Sequence, residues 1–267
     1  MSEQRISRAA QTSIYFRKCF RAFFHDKRWK ALISTALIVI LICMVTGRDT
    51  FVTYKATKSS SFALICACIW IGIFNSIRLI CRERDIIKRE HRTGLHMSSY
   101  VAALGLSEAL LCCVEGILAA VIVRIANHGH FIQSGVLFWP TAELCMTFFV
   151  TIYSSDMLGL LISSIVRTEN AAMTVMPFAL IIQLIMSGMI FDLEGLSKMI
   201  SNLTISRWGQ AAVLSSANVN QMGFSRLAEY ESTPGHLLFL WLLLLMFAAA
   251  YGCLAVISLQ FIDNSSR

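Results

Sequence analysis

Four acids stand where acids are costly. Glu108 and Glu115 lie seven residues apart in one apolar run, Glu143 sits near the start of the next, and Asp156 lies well inside it. A spacing of seven returns to the same helical face. Carboxylates in such surroundings either pass protons or are held by bases, helix ends and hydroxyls. A proton relay through Glu108, Glu115 and Asp156 would make the chain an ion- or proton-coupled transporter. No intramembrane Lys or Arg matches the acids apart from Arg78, and the structural reading stands first.

A second cluster is dense and polar. From Arg82 to Arg92, eight of eleven residues are charged, with long apolar runs on both sides. Asp85 can pair with Arg89 four residues on, and Thr93-Gly94 supplies a helix stop. Glu83, Ile86, Ile87 and Glu90 share one face. A short helix with two isoleucines among acids and bases makes a docking surface; the plainer reading is a solvated loop whose bases only fix topology.

Other chemistry is missing from these residues. There is no G-x-x-x-x-G-K-[ST] phosphate cradle, no H-E-x-x-H and no G-x-S-x-G. The nine cysteines show no metal-ligand spacing and no exported disulfide framework.

The elements that must position these groups are membrane helices. Of 267 residues, 56% are hydrophobic and 15% charged, and the mean hydropathy is +0.65; a soluble domain carries about 25% charge. Six apolar runs stand out: 31–46, 60–80, 100–125, 137–165, 171–191 and 237–261. About 20 residues cross a bilayer as a helix. The first run is short and is helped by Trp29 and Lys30; the fourth is long and must tilt or stop early. Strand alternation is absent, so the expected fold is all-α, with six spans.

Eight bases in the first thirty residues and five in the charged hinge place both on the cytoplasmic side. The 167 loop and both termini follow, in a plasma or inner membrane. The net charge of +7 is then a topology signal, not a nucleic-acid footprint. Residues 1–30 form a cytoplasmic amphipathic helix, with Phe16, Phe20, Phe23 and Phe24 at helical spacing, suited to inner headgroups. The remainder, 31–267, is one membrane domain, and 192–235 reads as one or two short helices at the outer interface.

This order resembles the membrane domain of ABC exporters of the type-2 permease family, most like the G subfamily of pigment and multidrug half-transporters. Four stretches carry the likeness. ERDIIKREHRTG (83–94) resembles the family's coupling helix, and SSYVAALGLSEALL (98–111) its third span with an acid at Glu108. AAMTVMPFALIIQLIMSGMIF (171–191) resembles the fifth span, and SRWGQAAV (206–213) the outer motif before span six. The family's lysine before the third-span acid is replaced here by Ala102-Ala103-Leu104, and the proline after it by Leu110-Leu111.

The resemblance implies a permease without its own motor. Glu83, Asp85, Ile86, Ile87, Arg89 and Glu90 would receive a separate ABC ATPase, which holds ATP and magnesium; the chain itself would bind no cofactor or metal and catalyse nothing. A second copy, or a related permease, would complete a shared cavity. Its lining, carried over position by position, is Leu64, Cys68, Ile71 and Asn75 from the second span and Phe178, Ile181 and Leu184 from the fifth. Met189 and Ile190 would form the outer gate. Such a cavity suits a lipophilic or amphipathic cargo.

Overall fold

The computed structural model describes residues 7–25, 28–47, 50–129, 131–132, 134–191, 194–222 and 227–261. Among them are eleven α-helices and no strand. In chain order they are α1 (Arg8–His25), α2 (Lys30–Thr46), α3 (Tyr54–Ser76), α4 (Leu79–Arg82), α5 (Arg84–Arg92) and α6 (Met97–Ala126). α7 (Pro140–Ile165), α8 (Glu169–Ile185), α9 (Leu196–Ser201), α10 (Ile205–Ser216) and α11 (Pro234–Gln260) complete the fold.

Several starts are written in the sequence. Thr53, Thr168 and Thr233 each stand before a helix and accept a hydrogen bond from an N–H in its first turn: Ala56, Ala171 and His236, at 3.3, 3.3 and 3.4 Å. Proline opens α7 and α11, where the missing N–H costs nothing.

Among the described residues, four segments are long and apolar enough to cross a membrane: Tyr54–Arg82, Met97–Ala126, Pro140–Ile165 and Pro234–Gln260. At 1.5 Å per residue each exceeds a hydrocarbon core of about 30 Å. α2 and α8 are apolar but shorter, at 17 residues each. The fourth expected run begins three residues late, because the Leu137 and Phe138 N–H groups bond back to the Glu143 carboxylate. The fifth stops at Ile185, with Gly188 in the left-handed region just beyond (φ +76°). Exposed Leu37, Val45, Leu106, Val114, Leu242 and Ile257 give the bundle an apolar exterior.

α7 is the central post, touching α3, α6 and α11. Small residues let it come close. A Cβ on Gly72 would collide with the Ile152 carbonyl oxygen, and one on Gly159 with the Ser76 hydroxyl. The Ser76 Oγ donates to the Asp156 carbonyl oxygen at 2.6 Å, and the Ser154 Oγ to that of Leu244 at 2.6 Å. In an apolar medium such close approach replaces the hydrophobic drive between helices.

One end of the bundle gathers α1, α4, α5 and most of the bases; it is called the basic end below. The opposite end holds α9 and α10. α10 is buried along nearly its whole length, while Leu196, Met199 and Leu203 of the α9 region are exposed. The short helices expected before the last span are two, α10 packed into the bundle and α9 on its surface; residues 192 and 193 fall outside the described residues.

Candidate functional site

The charged hinge folds as the nine-residue helix α5, with Asp85 in its first turn and Arg89, His91 and Arg92 in its last. That order suits the helix dipole. Gly94 takes φ +106° and the Leu95 N–H returns to the Glu90 carbonyl at 3.0 Å, ending the helix where Thr93-Gly94 signalled.

Three sets of contacts fix α5. Ile87 is fully buried in a cluster with Tyr100, Leu160 and Leu259. The Arg84 guanidinium donates to the carbonyls of Ser164 and Val166, at 3.1 and 2.9 Å, capping the end of α7. From α1, the Tyr15 hydroxyl donates to a Glu90 oxygen at 2.5 Å, Lys18 stands 3.6 Å from Glu83, and the Gln11 amide bridges the Gly94 carbonyl and the His96 N–H. Burial first, and the Glu90 bond second, push the Tyr15 phenol above its ordinary range, so it remains a donor.

The two isoleucines therefore part company. Ile87 serves the interior, while Ile86 is 40% exposed and shares an outward stripe with Asp85 and Arg89. Glu83 and Glu90 turn toward α1. Sequence spacing grouped the four on one face; the helix divides them.

α4 and α5 hang from α3 through a break at Ile77–Arg78. There the Ser163 hydroxyl of α7 accepts from the N–H groups of Ile80 and Cys81, both at 3.1 Å. Ser163 drew no notice in the sequence, since one serine among many carries no spacing signal.

Glu108 and Glu115 are held by polar side chains, and Asp156 is not. Glu108 receives a two-pronged bond from Arg28, at 2.7 and 2.8 Å. Its partner is thus Arg28 from the segment before α2, not Arg78, whose guanidinium lies over the Phe74 ring at 5.5 Å. Glu115 accepts from Thr35 at 3.0 Å and Asn75 at 2.8 Å. Asp156 is fully buried, and neither carboxylate oxygen has a partner among the described residues.

The positions expected to line a cavity separate by helix. Phe178 and Ile181 of α8 are 64% and 48% exposed, and Leu184 is half-buried. On α3, however, Leu64, Cys68 and Ile71 are buried in the chain's own core, and Asn75 bonds to Glu115. The open line of α3 is Cys66, Trp70 and Phe74, about half a turn away. Leu64, Cys68 and Ile71 thus face the chain's own interior, and Trp70 and Phe74 are the outward positions of this helix. Between residues 62 and 74 α3 is apolar on every side, so the pattern there does not fix its rotation.

Beyond α8, Met189 is half-buried and Ile190 exposed. The end of α8, at Gln183, adjoins the SRWGQAAV stretch, which is firmly seated. The Ser206 hydroxyl donates to the Gln183 carbonyl at 2.5 Å, Arg207 pairs with Glu229 at 2.6 Å, and Gly209 leaves room for Thr151.

Comparison with known proteins agrees with this architecture. Residues 10–217 match the family described as ABC-2 type transporter. Over 176 residues the chain is 29% identical to an ABC transporter ATP-binding/permease protein of Mycobacterium tuberculosis, covering 65% of this chain and 20% of that protein. The chain thus aligns with only about a fifth of that relative's length. All-helical, with four long apolar segments and a family match over most of its residues, the chain belongs to the ABC-2 type transporter family as a membrane permease domain.

Proposed function

We propose that this chain is the permease subunit of an ATP-driven exporter that moves a lipophilic or amphipathic substrate out of the cytoplasm or inner leaflet by alternating access. In this reading α2 and α8 complete a six-span domain of the G-subfamily kind, in the plasma or inner membrane, with both termini and the basic end in the cytoplasm. An ABC ATPase, whose ATP and magnesium lie outside these residues, docks at the basic end. A second copy or a related permease supplies the other half of the cavity.

The observation that carries the reading is α5: a short charged helix with one side welded into the bundle and the other left open. Asp85, Ile86 and Arg89 offer a partner a small apolar centre within a charged rim. A push there is not absorbed locally, because Ile87 and Arg84 hand it to the core and to the end of α7. From α7 it passes along the close α3 seam to the lines Cys66–Trp70–Phe74 and Phe178–Ile181, which would face the cargo together with Leu184. Met189 and Ile190 would close its outer exit. Tagged chain purified from its own membranes should bring down a P-loop ATPase, and transport by the pair should follow ATP.

A second reading, an ion- or proton-coupled transporter using Glu108, Glu115 and Asp156, is favoured by one observation: the buried carboxylate of Asp156 has no hydrogen-bond partner among the described residues. Transport that persists without any ATPase and collapses with the proton gradient would choose it over the first.

A further inference from the structure

A cavity of about 590 Å3 opens at the basic end among α1, α2, α3, α5 and α6. Five bases reach its wall, against two acids, Glu83 and Glu169. Arg28 is engaged by Glu108, and Lys18 lies near Glu83. Lys30 and Arg78 have no carboxylate partner among the described residues. Arg78 has the face of Phe74, and Lys30 stands in the first turn of α2, which contains no acid to offset the positive end of the helix. The local charge therefore calls for an anion.

The shape says which kind. From this chamber a narrow cleft of about 70 Å3 runs between α2 and α3, past Ile38, Trp70 and Ile71. Chamber and cleft share Ala31, Ser34, Phe74 and Asn75 in their walls, so they adjoin. A polar room that narrows into an apolar slot along two membrane helices fits a charged head and a hydrocarbon tail. The neighbouring Trp29 is 45% exposed, as an aromatic at headgroup depth would be. A free phosphate shares the head chemistry but has no use for the slot.

We propose that this cavity binds an anionic phospholipid, its phosphate between Lys30 and Arg78 and the first carbons of one chain entering the α2–α3 cleft, the remainder lying along the outside of the two helices. Basic pockets between membrane helices are suited to such headgroups.

The test is a titration of the delipidated full-length chain in detergent with short-chain phosphatidylglycerol, phosphatidylcholine or inorganic phosphate. Bound ligand is counted by native mass spectrometry. Phosphatidylglycerol should bind saturably, one per chain, and well ahead of phosphatidylcholine. The pair Lys30→Gln with Arg78→Gln should weaken it roughly 10- to 30-fold, at the usual value of a basic residue near an anionic headgroup. Charge-keeping Lys30→Arg with Arg78→Lys should preserve binding, as should Lys55→Gln with Lys58→Gln at the opposite end. Equal binding of the two lipids, or unchanged affinity in the neutral pair, would overturn the proposal. Inorganic phosphate filling the site as completely as the lipid would equally overturn it, by assigning the site to a free anion. Where the neutral pair does not fold, the two-lipid comparison on the unaltered chain decides.

Discussion

Two places in the molecule bring helices together with different atoms. Along the α3–α7 seam the contact is nearly backbone to backbone: Gly72 lies against the Ile152 carbonyl and Gly159 against Ser76, with a hydroxyl bond across at 2.6 Å. Between α1 and α5 the contact is made by the ends of long polar side chains, Tyr15 to Glu90 and Lys18 to Glu83. Packed main chain has no slack, whereas a lysine can follow a displacement of an ångström by changing rotamers. The seam is built to move as a unit, and the clamp to yield. The proposed drive from one end would need both.

The largest effect is expected at the seam. Gly72→Val places carbon where the Ile152 carbonyl already is, with no flexible side chain to give way. Overpacking usually costs about 1–3 kcal/mol, and a main-chain collision belongs at or above the upper limit. The variant should be lost from the monodisperse peak on size exclusion. Normal yield would show that the seam has room to spare.

Arg28–Glu108 is charged like the clamp but buried like the seam, and it distinguishes the two regimes. Glu108→Gln should lower stability by about 2–4 kcal/mol, because it leaves the mostly buried guanidinium without its counter-charge. Replacing both, Arg28→Met with Glu108→Leu, should recover most of the loss in a melting measurement. Additive losses would mean that the pair acts through some other contact.

The clamp itself should be mild. Tyr15→Phe should cost about 1 kcal/mol, and Lys18→Ala about 0.5 kcal/mol or less, since both partners in the lysine pair are well solvated. The sign of the pH dependence follows from the raised Tyr15 phenol. Its contribution is complete below the ordinary tyrosine value of about 10 and is lost only as pH climbs toward the raised one. An alkaline melting series should show a larger loss in the unaltered chain than in Tyr15→Phe.

The sequence made the long helices legible because hydrophobic length is a local quantity. The runs 100–125 and 237–261 lie within a few residues of α6 and α11. The stop at Thr93-Gly94 was legible for the same reason. Pairings between distant segments were not: Arg28 and Glu108 are 80 residues apart, and each alone reads as a topology charge or a misplaced acid. Rotation was the other blind spot. α3 carries no polar stripe between residues 62 and 74, so a face transferred from a resemblance landed on the buried side. In IIKRE the spacing could not say which isoleucine faces inward; only the packing of Tyr100 and Leu160 over Ile87 decides that.

That division of α5 sharpens the most direct test of the coupling claim. Reversing Glu83 and Glu90 would disturb the α1 clamp as well as any docking, so the informative change is on the open side. Ile86→Glu, with the tagged chain co-expressed with its ATPase, should leave the melting temperature and yield unaltered while the co-purified ATPase falls about ten-fold or more, as loss of a central apolar anchor predicts. Full recovery of the ATPase with normal transport would contradict the claim that α5 is where the motor grips.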